Sequence, residues 1–398
     1  MVPANLSKSL IVVLAATSAL GPAAMQILLP ALPLIRDDFG VGTDVAQLTL
    51  SLSMLAIALG TLCYGPLSDK HGRRKVMILG LTVTLAGSLF CYLAPTIELL
   101  ILGRFIQAFG GAVGLVLARA IVRDVYPANE AARVIATLVM VMVVIPMLSP
   151  AVGGELMARF GWHAVFIVIA IFCALMLAVV CLNLPETLQE PVPFEGIGAT
   201  LNTFKSLLSS GVFSGYAFCV SFVSVIFFSF ISAAPEIMVS VLNRPATEYG
   251  YYFILIPLGF IAGNFTATRL VSRHPINKLI GVGAIIGVSG IVLALLLQLA
   301  GLHQPIALFA PIALAVYGNG ITLPNAQAAA INEFPKVAGS ASGLTGFLQM
   351  ACSAIAAQLV AIIYNGTVYP LLAMMLVASL LSVASFWLGV RHEVPAKN

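Results

Sequence analysis

The stretch "GPLSDKHGRRKV", residues 65–76, concentrates charge in a chain that has very little of it. It holds one aspartate, two lysines, two arginines and a histidine, whereas 9% of the 398 residues are charged and 60% are hydrophobic. The mean hydropathy is +1.06. Soluble domains carry about 25% charged residues. The composition therefore predicts an integral membrane protein, in which this stretch is a polar turn between apolar segments.

Twelve apolar runs predict twelve transmembrane helices, since about 20 helical residues cross the roughly 30 Å hydrocarbon core of a bilayer. The first run lacks the pattern of a removable signal peptide, so we expect it to be retained. The predicted fold class is an all-α membrane protein of two six-helix bundles. The runs cover residues 9–33, 45–67, 75–95, 97–122, 134–156, 163–184, 211–234, 250–270, 278–300, 305–327, 338–363 and 368–390.

The cationic residues indicate the orientation, because Lys and Arg of short loops stay in the cytoplasm. Fourteen of them fall on the side of the N-terminus, and three, Arg36, Arg159 and Arg244, fall on the other. Both termini are therefore predicted to be cytoplasmic. The net charge of +4 follows from this asymmetry, and no nucleic-acid partner is inferred from it.

A polar segment with three prolines, residues 185–210, is predicted to be a cytoplasmic linker between an N-terminal bundle, 1–184, and a C-terminal bundle, 211–398. The stretch "GNFTATRLVSRHPINK", residues 263–278, is a weak counterpart of residues 65–75 in the second half. A six-plus-six repeat is typical of transporters, with the substrate site between the halves.

Several other classes of function find no support in the sequence. All six cysteines fall in predicted helices, so neither a disulfide framework nor a metal pair is expected. No H-E-x-x-H, G-x-S-x-G or P-loop pattern is present, and we predict neither enzymatic activity nor ATP hydrolysis by this chain. A soluble signalling segment, which a receptor would carry, is also missing from the sequence. No cofactor is expected beyond a proton gradient.

The charged turn resembles the signature loop of the major facilitator superfamily, with Gly65, Leu67, Asp69, Gly72 and the basic residues 73–75 matching its pattern. "RFIQAFGGAVG", 104–114, and "IPMLSPAVGG", 145–154, are similar to two further motifs of that family. "LPALPLIRDDFG", "ARAIVRDVYP", "NLPETL" and "NEFPKVAGSASGL" narrow the resemblance to the bicyclomycin- and chloramphenicol-resistance group of twelve-helix drug:proton antiporters. The resemblance implies a monomeric bacterial inner-membrane exporter that works by alternating access and contacts lipid, protons and a small-molecule substrate.

The signature loop is interpreted as a breakable gate on the cytoplasmic side. Asp69 is predicted to face the positive N-terminal end of the eleventh helix, near Gly339 and Ser340, and Arg73 and Arg74 lie near Asp124. The alternative is that these charges only anchor the topology, which is the favoured interpretation for Lys70, His71 and Lys75. The predicted gate residues are Gly65, Asp69, Gly72, Arg73, Arg74, Asp124, Gly339 and Ser340.

Arg104 lies about 10 Å inside the fourth predicted helix. Placing a charged guanidinium in lipid at that depth has a high free-energy cost, so its side chain is expected to face protein or water. The resemblance implies a role in proton coupling, and a purely structural bond to backbone carbonyls is the alternative. Arg119 lies one turn from Arg123 and is equally compatible with lining a cavity and with snorkelling to water.

The fifth predicted helix carries the motif that the resemblance assigns to antiporters, at Pro146, Pro150, Gly153 and Gly154. Proline removes a backbone donor and glycine permits close helix contact. Ordinary packing of small residues would produce a similar pattern.

Polar and aromatic residues at helix depth are predicted to line a substrate cavity, although packing or lipid contact is the commoner use of any one phenylalanine. These residues are Gln26, Phe222, Phe227, Phe228, Asn264, Asn319, Asn325 and Gln349.

One position departs from the family pattern. Drug:proton antiporters usually carry an acid four residues before the proline of the first helix, and here that residue is Gln26, whose amide cannot titrate. With Arg104 inside the membrane, this predicts neutral or weakly anionic amphipathic substrates, with phenicol-like molecules as the best guess. Coupling would then use a peripheral acid, Asp124 or Glu236, or the substrate's own titration. The alternative function is export of a small metabolite such as an amino acid or sugar, with or without proton coupling.

Overall fold

The computed structural model describes residues 8–188, 197–334 and 337–392, and within these ranges every regular element is helical. The described residues form two compact units. The described residues of the first unit fall within Met1–Phe194 and Ala246–Gly250, and those of the second fall within Glu195–Pro245 and Tyr251–Asn398. The predicted division at residues 184 and 210 stays a prediction.

The first unit contains seven α-helices and a 3₁₀ turn, Leu29–Ala31, among the described residues. The helices are α1 (Lys8–Gln26), α2 (Leu32–Phe39), α3 (Thr43–His71), α4 (Arg73–Tyr92), α5 (Ile97–Val125), α6 (Ala128–Phe160) and α7 (His163–Asn183). Helix α5 packs against α1, α3 and α4, and α4 also packs against α7. Helix α5 is therefore central to this unit.

The second unit is built from the remaining helices, except for the start of α10. They are α8 (Ile197–Ser209), α9 (Gly211–Ser240), α10 (Ala246–Phe253), α11 (Leu255–Leu270), α12 (Ile276–Leu299), α13 (Pro305–Asn332), α14 (Ala338–Ile362) and α15 (Tyr369–His392). Helix α13 packs against α9, α11 and α12, and α9 also packs against α14 and α15.

Twelve described segments are long and apolar enough to cross a membrane, in the positions of the twelve predicted runs. The predicted fold class is confirmed. Two of the twelve segments are interrupted where the sequence analysis predicts one continuous helix. The first breaks at Leu29–Ala31 around Pro30, and the eighth breaks at Ile254, three residues before Pro257. Proline cannot donate the hydrogen bond that continues a helix, which favours a break at both places, although α1, α3, α6, α9 and α13 continue through prolines of their own.

The predicted linker contains a helix that the sequence analysis does not foresee. Residues Ile197–Ser209 form α8. Phe204 and Leu207, one helical turn apart, join an apolar cluster that includes Phe213 and Tyr216 of α9. The prolines at 191 and 193 precede this segment, so no proline interrupts the helix. Residues 197–209 are therefore part of the packed second unit.

Glycines allow the helices of each unit to approach closely. A Cβ added to Gly114 of α5 would overlap the carbonyl oxygen of Thr17 on α1. In the second unit a Cβ on Gly263 of α11 would overlap the carbonyl oxygen of Tyr317 on α13. Such contacts are typical of helix packing in membranes. Lipid provides no hydrophobic driving force for helices to associate, so they depend on the close van der Waals contact that small residues permit.

Candidate functional site

The charged turn of residues 65–76 lies at one end of the first unit. Helix α3 ends at His71, Gly72 makes the turn, and α4 begins at Arg73. Gly72 has a φ of +97°, a conformation that side chains with a Cβ rarely adopt. The chain thus reverses over one residue, and the charges at the end of α3 come next to those at the start of α4.

Arg73 forms the centre of a charge cluster in this turn. Its Nε donates to Asp124 Oδ2 of α5 over 2.9 Å, and its Nη1 donates to Asp69 Oδ1 and, over 2.7 Å, to Ser68 Oγ of α3. The residue is 9% exposed. A planar guanidinium can hold two carboxylates at fixed angles. Arg73 therefore ties together the ends of three helices.

Glu186 belongs to the same cluster, although it is not among the predicted site residues. Its Oε1 accepts hydrogen bonds from the backbone N–H of Arg73 over 2.8 Å and of Thr187 and Leu188 over 3.1 Å each. Its Oε2 accepts from the N–H of Arg74 over 3.2 Å. A carboxylate in this position satisfies orphan donors of α4 and complements the helix dipole.

Thr187 connects Glu186 to the arginine cluster, since its Oγ1 donates to Asp124 Oδ2 over 3.3 Å. The segment after α7 is thereby held against the start of α4 and the end of α5. Both residues belong to the "NLPETL" stretch. The family resemblance of that stretch was the only feature of the sequence that pointed to a role for them.

The other predicted gate residues occupy different surroundings. Gly65 lies inside α3 with open space where a Cβ would be. Arg74 Nη2 donates to the carbonyl of Cys181 in α7 over 2.7 Å. Gly339 and Ser340 lie in the first turn of α14, in the second unit. The role of this set as a gate, and the approach of Asp69 to α14, stay predictions.

Arg104 is the largest fully buried side chain of the described residues, at 1% exposure. Its Nη1 donates to the carbonyl oxygen of Ala24 on α1 over 3.1 Å and to Gln107 Oε1 one turn along α5. Gln107 Nε2 donates in turn to Ser88 Oγ of α4 over 2.8 Å. This buried polar chain joins α1, α5 and α4, and Gln107 and Ser88 are further residues that were not predicted from the sequence.

Several buried polar atoms of α1, α3 and α5 have no hydrogen-bond partner among the described residues. They are Arg104 Nε and Nη2, Gln26 Oε1 on α1 and Gln47 Nε2 on α3. Leaving a buried donor or acceptor unpaired costs about 1–3 kcal/mol, and more for a charged group. Such atoms mark positions where a polar ligand or water would be stabilised.

No Asp or Glu forms an ion pair with Arg104 within residues 8–188, 197–334 and 337–392. Its protein acceptors are a carbonyl and an amide oxygen, which are both neutral. The interior of the first unit therefore holds a positive charge that no described carboxylate pairs with, and Gln26 contributes no negative one.

The remaining candidates for coupling differ in burial. Arg119 of α5 is half-buried, and its Nη2 contacts Met142 Sδ on α6 at 3.8 Å. Asp124 is committed to the Arg73 cluster. Glu236 of α9 is 6% exposed, and its Oε1 accepts a hydrogen bond from Ser240 Oγ.

The predicted antiporter motif lies on α6, which runs without interruption through Pro146 and Pro150. A Cβ on Gly153 would overlap the carbonyl oxygen of Ile27, in the interruption between α1 and the 3₁₀ turn. Gly154 faces Thr247, in the short segment that belongs to the same unit. The motif therefore lets α6 approach the backbone directly after Gln26.

Apart from Gln26, the predicted substrate-cavity residues all lie in the second unit. Phe222, Phe227, Asn264 and Gln349 are half-buried, whereas Phe228, Asn319 and Asn325 are buried. The amide of Asn319 donates to the carbonyl of Val223 over 3.3 Å, and that of Asn325 donates to the carbonyl of Ile321 over 2.7 Å. Each of the two asparagines thus uses a side-chain donor in a hydrogen bond to the backbone. That the eight predicted residues line a substrate cavity stays a prediction.

The family model of the Major Facilitator Superfamily matches residues 14–357. The chain belongs to this superfamily and is a multi-pass inner-membrane transporter. The predicted family resemblance is confirmed.

Curated relatives place the chain beside drug-resistance transporters. It is 32% identical over 383 residues to the uncharacterized MFS-type transporter YdgK of Bacillus subtilis, covering 95% of this chain and 94% of that one. It is 29% identical over 390 residues to the bicyclomycin resistance protein homolog of Haemophilus influenzae, covering 98% of each. Over 258 residues it is 26% identical to the chloramphenicol resistance protein CraA of Acinetobacter baumannii, covering 65% of this chain and 62% of that one.

A solved structure shows the same fold. A bacterial homologue of the human lysosomal transporter Spinster superposes with a TM-score of 0.78 at 17% identity, covering 98% of this chain and 100% of that one. This similarity concerns the fold alone.

Proposed function

We propose that this chain is a secondary active exporter of neutral or weakly anionic amphipathic compounds, with phenicol-like molecules as the preferred class, working by alternating access with proton antiport. The relatives named for resistance to bicyclomycin and chloramphenicol support export of antibiotics. The observation that carries the substrate class is Arg104, a buried cation with neutral protein acceptors.

The charge of the site follows from Arg104 and Gln26. A positive charge in a low-dielectric interior repels a cation by about 3 kcal/mol at 5 Å, taking an effective dielectric constant of about 20. That corresponds to more than a hundredfold in affinity. Neutral molecules with hydrogen-bond acceptors would gain from the unpartnered Nε and Nη2 of Arg104. Apolar parts of the substrate would contact rings such as Phe222 and Phe227.

Glu236 is our proposed coupling carboxylate. It is a buried acid inside a membrane-spanning helix, and such residues in transporters commonly belong to proton relays. Asp124 is the less suitable candidate, because it already accepts from Arg73 and Thr187. Proton exchange at Glu236 would leave the positive charge of Arg104 in place for substrate binding.

The cytoplasmic gate is proposed to depend on Asp69. Its carboxylate would be attracted to the positive N-terminal end of α14, beside Gly339 and Ser340, in the outward-facing state. Replacement Asp69→Asn removes that attraction, so we expect more of the inward-facing state and reduced transport by an inserted, folded protein. Normal efflux by this variant would remove the proposed role.

The substrate proposal is tested by transport in proteoliposomes with an imposed pH gradient. Wild type, Gln26→Asp and Gln26→Ala would be compared for uptake of labelled chloramphenicol and of tetraphenylphosphonium, a permanent lipophilic cation. We expect wild type and Gln26→Ala to carry chloramphenicol and to exclude the cation. Gln26→Asp should gain cation transport of about tenfold or more, because its carboxylate offsets Arg104. Strong transport of the cation by wild type would contradict the charge argument.

Coupling is tested with Glu236→Gln in the same vesicles. We expect it to abolish the flux driven by the pH gradient while counterflow of substrate persists. Glu155→Gln, which changes an exposed glutamate in an ion pair with Arg159, is the matched control. Loss of driven flux in Asp124→Asn alone would assign coupling to Asp124. Wild-type flux that is indifferent to pH would show that the chain is not a proton antiporter.

A further inference from the structure

A cavity of about 540 Å³ lies beside the charged turn of the first unit, separate from the buried Arg104 cluster. Lys70 and His71 at the end of α3 and Arg74 and Lys75 at the start of α4 line one part of it. The segment after α7 lines the rest. Lys70, His71 and Lys75 are exposed, so the cavity is open to its surroundings.

The cavity is positively charged. Lys70, Arg74 and Lys75 contribute three cations, and among the described lining residues Glu186 is the single acid. Both oxygens of Glu186 already accept backbone N–H groups at the start of α4, so its charge is largely compensated there. A net positive cavity of this kind favours an anion that carries several acceptor oxygens, as a phosphate group does.

Arg74 is held in a fixed position on the wall of this cavity. Its Nη2 donates to the carbonyl of Cys181, and its Nε is buried without an acceptor among the described residues. The guanidinium is thus oriented by α7 and still has unused donors. A preorganised guanidinium loses little side-chain entropy when it binds an anion.

The surface that continues from the cavity along the helices is apolar. Leu79, one turn from Lys75 on α4, is 50% exposed, and Leu182 at the end of α7 is 83% exposed. Further along α7, Leu175 and Ile171 are 57% exposed each. The three positions on α7 are four and seven residues apart, which is about one and two helical turns, so they lie on one face of a membrane-spanning helix. Together with Leu79 they form an apolar stripe suited to contact with lipid chains. A free phosphate would gain nothing from this surface, whereas a phospholipid would occupy both parts.

We propose that this cavity binds the phosphate-bearing headgroup of an anionic phospholipid, with Arg74, Lys75 and Lys70 as its cationic partners and the apolar stripe of α4 and α7 beneath its acyl chains. The site is adjacent to Arg73 but does not use the side chain of Arg73. Basic pockets at the cytoplasmic ends of membrane helices are suited to such headgroups. The proposal stands independently of the transported substrate.

The test measures lipid binding to the purified full-length chain in a neutral detergent, by native mass spectrometry with quantified lipid titration. The lipids are dioleoylphosphatidylglycerol and dioleoylphosphatidylcholine. We expect the anionic lipid to bind more tightly by tenfold or more. Each cation near a charged surface contributes about fivefold, so Lys70→Gln with Lys75→Gln should weaken phosphatidylglycerol binding roughly 25-fold. This double variant leaves the bond from Arg74 to Cys181 intact, so the helix packing is retained.

The matched control removes two exposed cations of the second unit, Lys205→Gln with Arg273→Gln. We expect its affinity for phosphatidylglycerol to stay within about twofold of wild type, since it removes the same net charge elsewhere. Equal loss in both double variants would overturn the proposal in favour of non-specific attraction. Competition by millimolar inorganic phosphate as strong as that by the lipid would assign the cavity to free phosphate instead. Equal binding of the two lipids by wild type would also overturn it.

Discussion

Arg73 Nε and Asp124 Oδ2 are 2.9 Å apart, although the two residues are separated by 51 positions in the chain. The contact joins the start of α4 to the end of α5. The same guanidinium also holds Asp69 and Ser68 on α3. One side chain therefore holds three helix ends at the place where the family signature lies.

Replacement Arg73→Lys should uncouple these helix ends. A lysine ammonium is a compact point charge and cannot hold Asp69, Ser68 and Asp124 in the planar geometry of a guanidinium. We expect transport to fall at least tenfold while the protein is still inserted, measured as substrate flux per folded molecule in proteoliposomes. Arg36→Lys, which alters an ion pair with the adjacent Asp37, is the control and should keep wild-type flux. Equal flux in both variants would show that the bridging geometry is dispensable.

Glu186→Gln should destabilise the first unit. The amide keeps one acceptor oxygen but loses the negative charge that faces the N–H groups of Arg73 and Arg74 at the start of α4. A charged group at a helix N-terminus contributes about 0.3–2 kcal/mol. We expect a melting temperature lower by up to about 2 °C in detergent, measured by tryptophan fluorescence. Glu155→Gln, at an exposed position, should leave it unchanged, and a lowered value there as well would point to a general effect of charge.

Gly72→Ala should be more damaging than Gly65→Ala, although both glycines belong to the signature loop. At Gly72 the φ of +97° is strained for alanine, and the added Cβ would overlap the carboxylate of Glu186. We expect a loss of about 1–3 kcal/mol in stability. At Gly65, in helix α3, no heavy atom lies within 4 Å of the new Cβ, so alanine should be neutral or stabilising by up to about 1 kcal/mol. Thermal unfolding of the two variants side by side measures the contrast, and equal stability would refute it.

Gly153→Ala should disturb the packing of α6 next to Gln26. The new Cβ would overlap the carbonyl oxygen of Ile27, which is backbone and cannot move aside as a side chain can. Overpacking of this kind costs about 1–3 kcal/mol. We expect lower thermal stability and loss of driven transport. Gly346→Ala on α14, where no heavy atom lies within 4 Å of the added Cβ, is the control and should retain both.

The twelve spans and the position of the charged turn could be predicted because they depend on properties that lie along the chain. A helix long enough to cross the bilayer must be apolar over about 20 consecutive residues, whatever it packs against. The turn at Gly72 is similarly local, since glycine there permits a positive φ between two helices. The interruptions beside Pro30 and Pro257 could not be predicted from proline alone, because proline removes a helical donor wherever it occurs and α6 nevertheless continues through Pro146 and Pro150.

Tertiary packing, in contrast, decided which residues form hydrogen bonds with one another. Glu186 meets the N–H of Arg73 across 113 positions, and Gln107 meets Ser88 across 19. Hydropathy determines that Arg104 must avoid lipid, but only the packing of α1 against α5 selects the carbonyl of Ala24 as its acceptor and leaves Nε and Nη2 unpaired. A hydrogen bond forms only when the donor–acceptor distance is right to within a few tenths of an ångström and the angle at the hydrogen is close to linear. The distances and angles between groups on different helices are set by how the helices pack against one another. The order of residues along one helix does not determine that packing.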